Sequence, residues 1–115
     1  MTDWEDLAQR QVAEIQRALP ELIRVHSTEV PVFFSPARDQ KSGPCLGLFQ
    51  GLSLLEGPPA QPDEMPRITL FFDTLARAAN YQRSVFLREV RITYLHELGH
   101  YLGWDEEQIA NVGLG

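Results

Sequence analysis

Apolar side chains near the N-terminus recur every three or four positions: Trp4, Leu7, Ala8, Val12, Ile15 and Leu19. That spacing predicts an amphipathic helix over residues 4–19, stopped by Pro20. Residues 29–34, rich in Val and Phe, read as a strand that Pro36 ends and Pro31 assigns to a sheet edge. Loop composition follows over residues 35–44. A second short strand is expected over residues 46–50, and a third over 52–55. Residues 57–66 hold Pro58, Pro59, Pro62 and Pro66 and are expected to form an irregular, mobile surface loop.

Strand character resumes over residues 67–72, and Asp73 is placed to cap a short helix running to about Asn80. The longest helix is expected to open at Ser84 and run through Leu102, with Gly103 at its end. Along it Leu87, Val90, Tyr94, Leu98 and Tyr101 form one apolar face, at about 100° per residue, from which Thr93, His96 and His100 point away. A last short helix begins at Asp105, with Gln108 three residues on in capping-box spacing. Strands in the middle and helices at both ends make the chain α+β, a small mixed sheet packed against the N-terminal and long helices.

Length narrows this to a single domain over residues 1–115, with room for one modest core. A hydrophobic share of 43% and a charged share of 23% are those of an ordinary globular protein. No apolar run reaches the length that crosses a bilayer, and the acidic opening Asp3-Trp4-Glu5-Asp6 is unlike a secretory leader. Cys45, the single cysteine, suits a reducing, cytoplasmic setting. A net charge of −6 argues against nucleic acid and anionic membranes as partners. Arg77, Arg83, Arg88 and Arg91 read as solvated helix faces.

The chemistry sits on the long helix, in His96-Glu97-Leu98-Gly99-His100. Histidines at i and i+4 share a helical face, so both imidazoles can reach one ion, and two histidines with a carboxylate suit zinc best. Glu97, about 100° around the helix, flanks the metal and can take a proton from water as general base. Catalytic zinc takes three protein ligands and keeps one position open. Gly103 can turn the chain back toward the histidines, which makes the acids just beyond it candidates for the third. Glu106, with a longer and free side chain, is preferred; Asp105 is the alternative, since its carboxylate is also placed as a helix cap.

The run from His96 to Glu106 resembles the extended HExxHxxGxx(D/E) signature of the small bacterial zincin-like metallopeptidases. The segments 46–51 and 67–71 are similar as well. The resemblance implies a minimal zincin fold with His96, His100 and an acid at Glu106 or Asp105 as zinc ligands, and Glu97 as general base. It implies a peptide or protein substrate, held by edge pairing along the strand near residues 67–72. An acid stands where metzincins have a third histidine, and neither Met1 nor Met65 lies downstream, so a metzincin in the strict sense is excluded. The residues after Glu106 hold no Tyr, His, Arg or Lys. An oxyanion helper is therefore sought upstream, at Tyr81, Tyr101 or His26, each of which reads more simply as a packing or surface residue. A monomer is expected, and the alternative function is a metal-binding module of the same fold without proteolytic activity, acting through a protein partner.

Overall fold

The computed structural model describes residues 2–111; of the expected unit over 1–115, Met1 and 112–115 fall outside the described residues. Helix α1 runs Trp4–Ala18. Asp3 caps it by accepting from the Asp6 amide at 3.0 Å, with Glu5 and Asp6 in the first turn, where the helix dipole favours acids. Pro20 ends this helix, as expected, but also opens another: α2, Glu21–Ser27. A proline's fixed φ is compatible with a helix start. The pattern hid α2 because it buries almost nothing, leaving Leu22 79% and Val25 55% exposed.

Three strands come next along the chain: β1 Val32–Ser35, β2 Gly47–Gln50 and β3 Arg67–Phe71. They pair in the order β1-β3-β2, β1 parallel and β2 antiparallel to β3, so the sheet is mixed and β1 lies at an edge. Pro31 stands just before β1, and its carbonyl accepts from the Ile68 amide at 3.0 Å, extending the pairing with a group proline still has. The third expected strand is absent. Residues Leu54–Glu56 form a 3-10 turn that Ser53 and Glu56 cap reciprocally, an option local polar side chains hold against strand pairing. A second 3-10 turn, Pro62–Glu64, gives the proline-rich stretch more order than its composition suggested, with Gln61 and Glu64 forming the same kind of cap. Because β3 is the central strand, with a neighbour on each side, it cannot take a substrate by edge pairing; that expectation is corrected.

β3 passes directly into α3, Phe72–Ala78. Asp73 therefore lies in the first turn rather than at the cap, with its amide donating to the Pro36 carbonyl at 3.0 Å. Helix α4 occupies Arg83–Tyr101 and α5 Glu106–Asn111. The core gathers Leu7, Val12 and Ile15 of α1, Ile68 and Leu70 of β3, and Phe86, Val90, Tyr94 and Leu98 of α4. Ile68 and Leu70 are two apart and so share a sheet face, both wholly buried. Leu87 is only half-buried, while Thr93, on the side of α4 that carries His96, is buried where β2 crosses the helix at Gly47.

Polar side chains lock α1 to α4. Gln16 Nε2 donates to the Tyr94 hydroxyl at 3.1 Å and Gln11 Nε2 to the Leu87 carbonyl at 3.0 Å. The rings of Trp4 and Phe86 meet at 4.7 Å. With one face of α4 anchored in this way, truncating Leu98 to alanine would cost about 2–5 kcal/mol, so the opposite face is held on a rigid support. Among the described residues, no helix is long and apolar enough to cross a membrane.

Candidate metal centre

The face of α4 turned away from the core carries His96 and His100. Their Nε2 atoms are 2.9 Å apart and their ring centroids 4.7 Å. Each side chain is 37% exposed, open to a solute yet fixed by the helix. A carboxylate oxygen of Glu97 belongs to the same group, with ligand atoms all within 4.8 Å of one another.

The path of the chain beyond α4 decides which acid joins them. Gly103, at φ +84°, ends α4 in a left-handed turn that L side chains other than Gly seldom adopt. Its amide donates to the His100 carbonyl and that of Trp104 to the Gly99 carbonyl, both at 3.0 Å, which is the Schellman pattern. The chain then doubles back. Asp105 Oδ1 accepts from the Gln108 amide and Gln108 Oε1 from the Asp105 amide, both at 2.8 Å, so the carboxylate of Asp105 is spent on capping α5. Glu106, one residue on and 71% exposed, reaches the imidazoles: its Oε1 lies 3.1 Å from His96 Nε2 and 3.4 Å from His100 Nε2.

Two glycines make these approaches possible, and spacing alone had not marked either. A Cβ on Gly99 would lie 2.5 Å from Ile109 Cγ1, so only glycine lets α5 settle this closely on α4. A Cβ on Gly47 would lie 2.6 Å from Thr93 Cγ2, so β2 crosses α4 one turn before His96 by lacking a side chain there. A glycine inside a strand is the available signal of such close approach.

The crossing brings β2 to Glu97, whose carboxylate accepts from the Phe49 amide. Burial pushes the Glu97 carboxyl above the usual carboxylate range, against the pull of His96, His100 and the Phe49 amide; Glu106 adds a small push the same way. The Phe71 amide donates to the Leu46 carbonyl at 3.0 Å. In an antiparallel ladder the alternate residues Gly47 and Phe49 then turn their backbone groups to the open edge of β2. Beside this edge lies a cleft of about 300 Å³ that includes His96 and Glu97 in its wall. A larger cleft of about 370 Å³, between Glu29, Tyr101 and residues 52–59, does not include the histidines.

The expected oxyanion helpers lie elsewhere. The Tyr101 hydroxyl donates to Glu29 Oε1 at 3.3 Å, and His26 Nδ1 meets the same oxygen at 2.5 Å. Tyr81 is exposed before the start of α4, with its ring 6.3 Å from that of Trp4. The Cys45 thiol donates to the Gly47 carbonyl at 2.9 Å.

Two imidazole nitrogens and one carboxylate oxygen, 2.9–3.4 Å apart, fit a zinc ion. Zinc bonds of about 2.0–2.1 Å at tetrahedral angles set donors roughly 3.3 Å apart. No curated protein matches the chain. A family model described as zincin-like metallopeptidase does match, over residues 23–114, which takes in the sheet, α4 and the acid beyond it. By that match over most of its length the chain belongs to the zincin-like metallopeptidase family.

Proposed function

We propose that this chain is a zinc-dependent peptidase in which His96, His100 and Glu106 hold the ion and Glu97 is the general base. The observation that carries the reading is the approach of one Glu106 oxygen to both Nε2 atoms, while the neighbouring Asp105 is occupied as a cap. A zinc ion held there supplies Lewis-acid polarisation of a scissile carbonyl and makes water easier to deprotonate.

Glu97 does the proton transfer. Burial raises its proton affinity above that of a free glutamate, so it takes a proton from water more readily, and it can then pass that proton to the leaving amine. The Phe49 amide steadies the carboxylate and fixes its orientation. The open edge of β2 offers an extended peptide the Gly47 amide and the Phe49 carbonyl beside the proton-transferring group, the Phe49 amide and the Gly47 carbonyl being taken by Glu97 and Cys45. Edge pairing thus belongs to β2 rather than to β3.

Glu97→Gln keeps the shape and removes the base. It is expected to retain zinc and to lose about 10²–10⁴ in kcat on any peptide the wild type cleaves. Full turnover by Glu97→Gln would sink the proposal. The positions of Tyr81, Tyr101 and His26, all engaged elsewhere, favour a second reading: a metal-binding module that acts through a protein partner. Chelator-sensitive cleavage of a peptide panel by the wild type decides against it.

A further inference from the structure

The 300 Å³ cleft beside His96 and Glu97 carries a charge that the metal chemistry leaves unused. Its other walls are Leu46 and Gly47 on one side, and Glu89, Ile92 and Thr93 of α4 on the other. Glu89, Thr93, His96 and His100 stand at i, i+4, i+7 and i+11, so they form one line along the helix. At 1.5 Å per residue Glu89 lies about 10 Å back from His96. The cleft thus has the metal-binding face at one end, aliphatic walls between, and a carboxylate at the other end. Glu89 is half-buried, and among the described residues its carboxylate has no ion-pair or hydrogen-bond partner. No lysine or arginine lines the space.

We propose that this cleft takes a lysine or arginine side chain of the substrate, close to the scissile bond, with Glu89 as the residue that selects it. The inference rests on the peptidase reading above and names the substrate class of that site. An aliphatic stem suits Leu46, Ile92 and the Thr93 methyl, and the cationic head meets the unpaired acid. A purely apolar side chain would desolvate Glu89 without giving it a partner, and an acidic one would face both Glu89 and Glu97.

The test is titration calorimetry on the zinc-loaded full chain with two short peptide hydroxamates that differ only in carrying lysine or norleucine. The hydroxamate anchors both at the metal, so binding is read without turnover. The lysine peptide is expected to bind about fivefold to tenfold tighter at low salt, the worth of one partly shielded charge pair, and the gap narrows as salt rises. Glu89→Gln abolishes the gap and Glu89→Lys reverses it. Asp63→Asn, which removes the same charge from the proline-rich segment, leaves the gap in place. Equal affinities in the wild type, or a preference that survives Glu89→Gln, overturn the proposal while leaving the metal centre standing. If neither hydroxamate binds, the metal-centre reading itself fails and the proposal falls with it.

Discussion

Substituting Gly99 by alanine should separate two properties of α4 that are fused in the wild type: its stability as a helix and its use as a platform for α5. The new Cβ would come 2.5 Å from Ile109 Cγ1 and 2.7 Å from Cδ1. Comfortable carbon–carbon contact is about 3.5–4.0 Å, so roughly 1 Å must be found. Ile109 is β-branched and stiff at χ1, and it sits on α5 three residues after Glu106, so the relief comes largely from lifting α5. Helix α4 gains about 1 kcal/mol from alanine in its interior, which offsets the loss of Ile109 packing and leaves overall stability nearly unchanged. The metal centre has no such compensation. Metal–ligand distances tolerate only about 0.2 Å, so with zinc held as proposed a roughly 1 Å displacement would remove Glu106 from coordination. Four-ligand zinc sites bind with roughly 10–16 kcal/mol, which is about 3 kcal/mol per ligand, or about a hundredfold in affinity. Competition for zinc against a chromogenic chelator, alongside urea unfolding of the metal-free protein, reads both quantities. Wild-type zinc affinity in Gly99→Ala, with Glu106→Gln weakened in the same assay, would refute the idea that the α5 contact at Gly99 sets the position of Glu106.

Further outcomes separate neighbouring residues. Glu106→Gln should weaken zinc binding about a hundredfold without changing the urea midpoint of the metal-free protein, because the side chain is mostly exposed. Asp105→Ala should do the reverse, costing about 1 kcal/mol of α5 stability through the lost cap and only about fivefold in zinc affinity. Gly103→Ala forces alanine into φ +84° against Leu55 and should cost roughly 1–2 kcal/mol in urea unfolding. Burial holds the Tyr94 hydroxyl above its ordinary value of 10.0, against the lowering effect of its bonds with Gln16 and Ser27. Its folded-state pKa therefore exceeds the unfolded one; the stability it contributes is complete below pH 10 and is lost as pH rises through the raised value. Thermal unfolding should show the wild type losing stability above about pH 10 more steeply than Tyr94→Phe; parallel curves would contradict this.

Much of this molecule is written in short-range order. The stripe from Trp4 to Leu19 located α1 to within a residue, because a helix that buries one face must repeat apolar residues at its own period. The same periodicity set His96 and His100 on one face and Glu97 beside them, since four residues of helix leave little freedom. The capping of α5 by Asp105 and Gln108 and the left-handed turn at Gly103 were legible for the same reason.

Other features depend on residues far apart in the chain. That β3 is central and β2 carries the open edge beside Glu97 is a consequence of how strands pair, which no local pattern states. Residues 52–55 looked like a strand and α2 looked like nothing, because the first found a local cap and the second buries almost no apolar surface. The sequence favoured Glu106 over Asp105 only because Asp105 was also placed as a helix cap. The close packing of α5 on Gly99 turned one toward the histidines, while the cap consumed the other. Sequence alone dictated the chemistry available within a turn of helix; the tertiary structure chose which distant groups meet it, because contacts across the chain exist only once the core has brought its elements together.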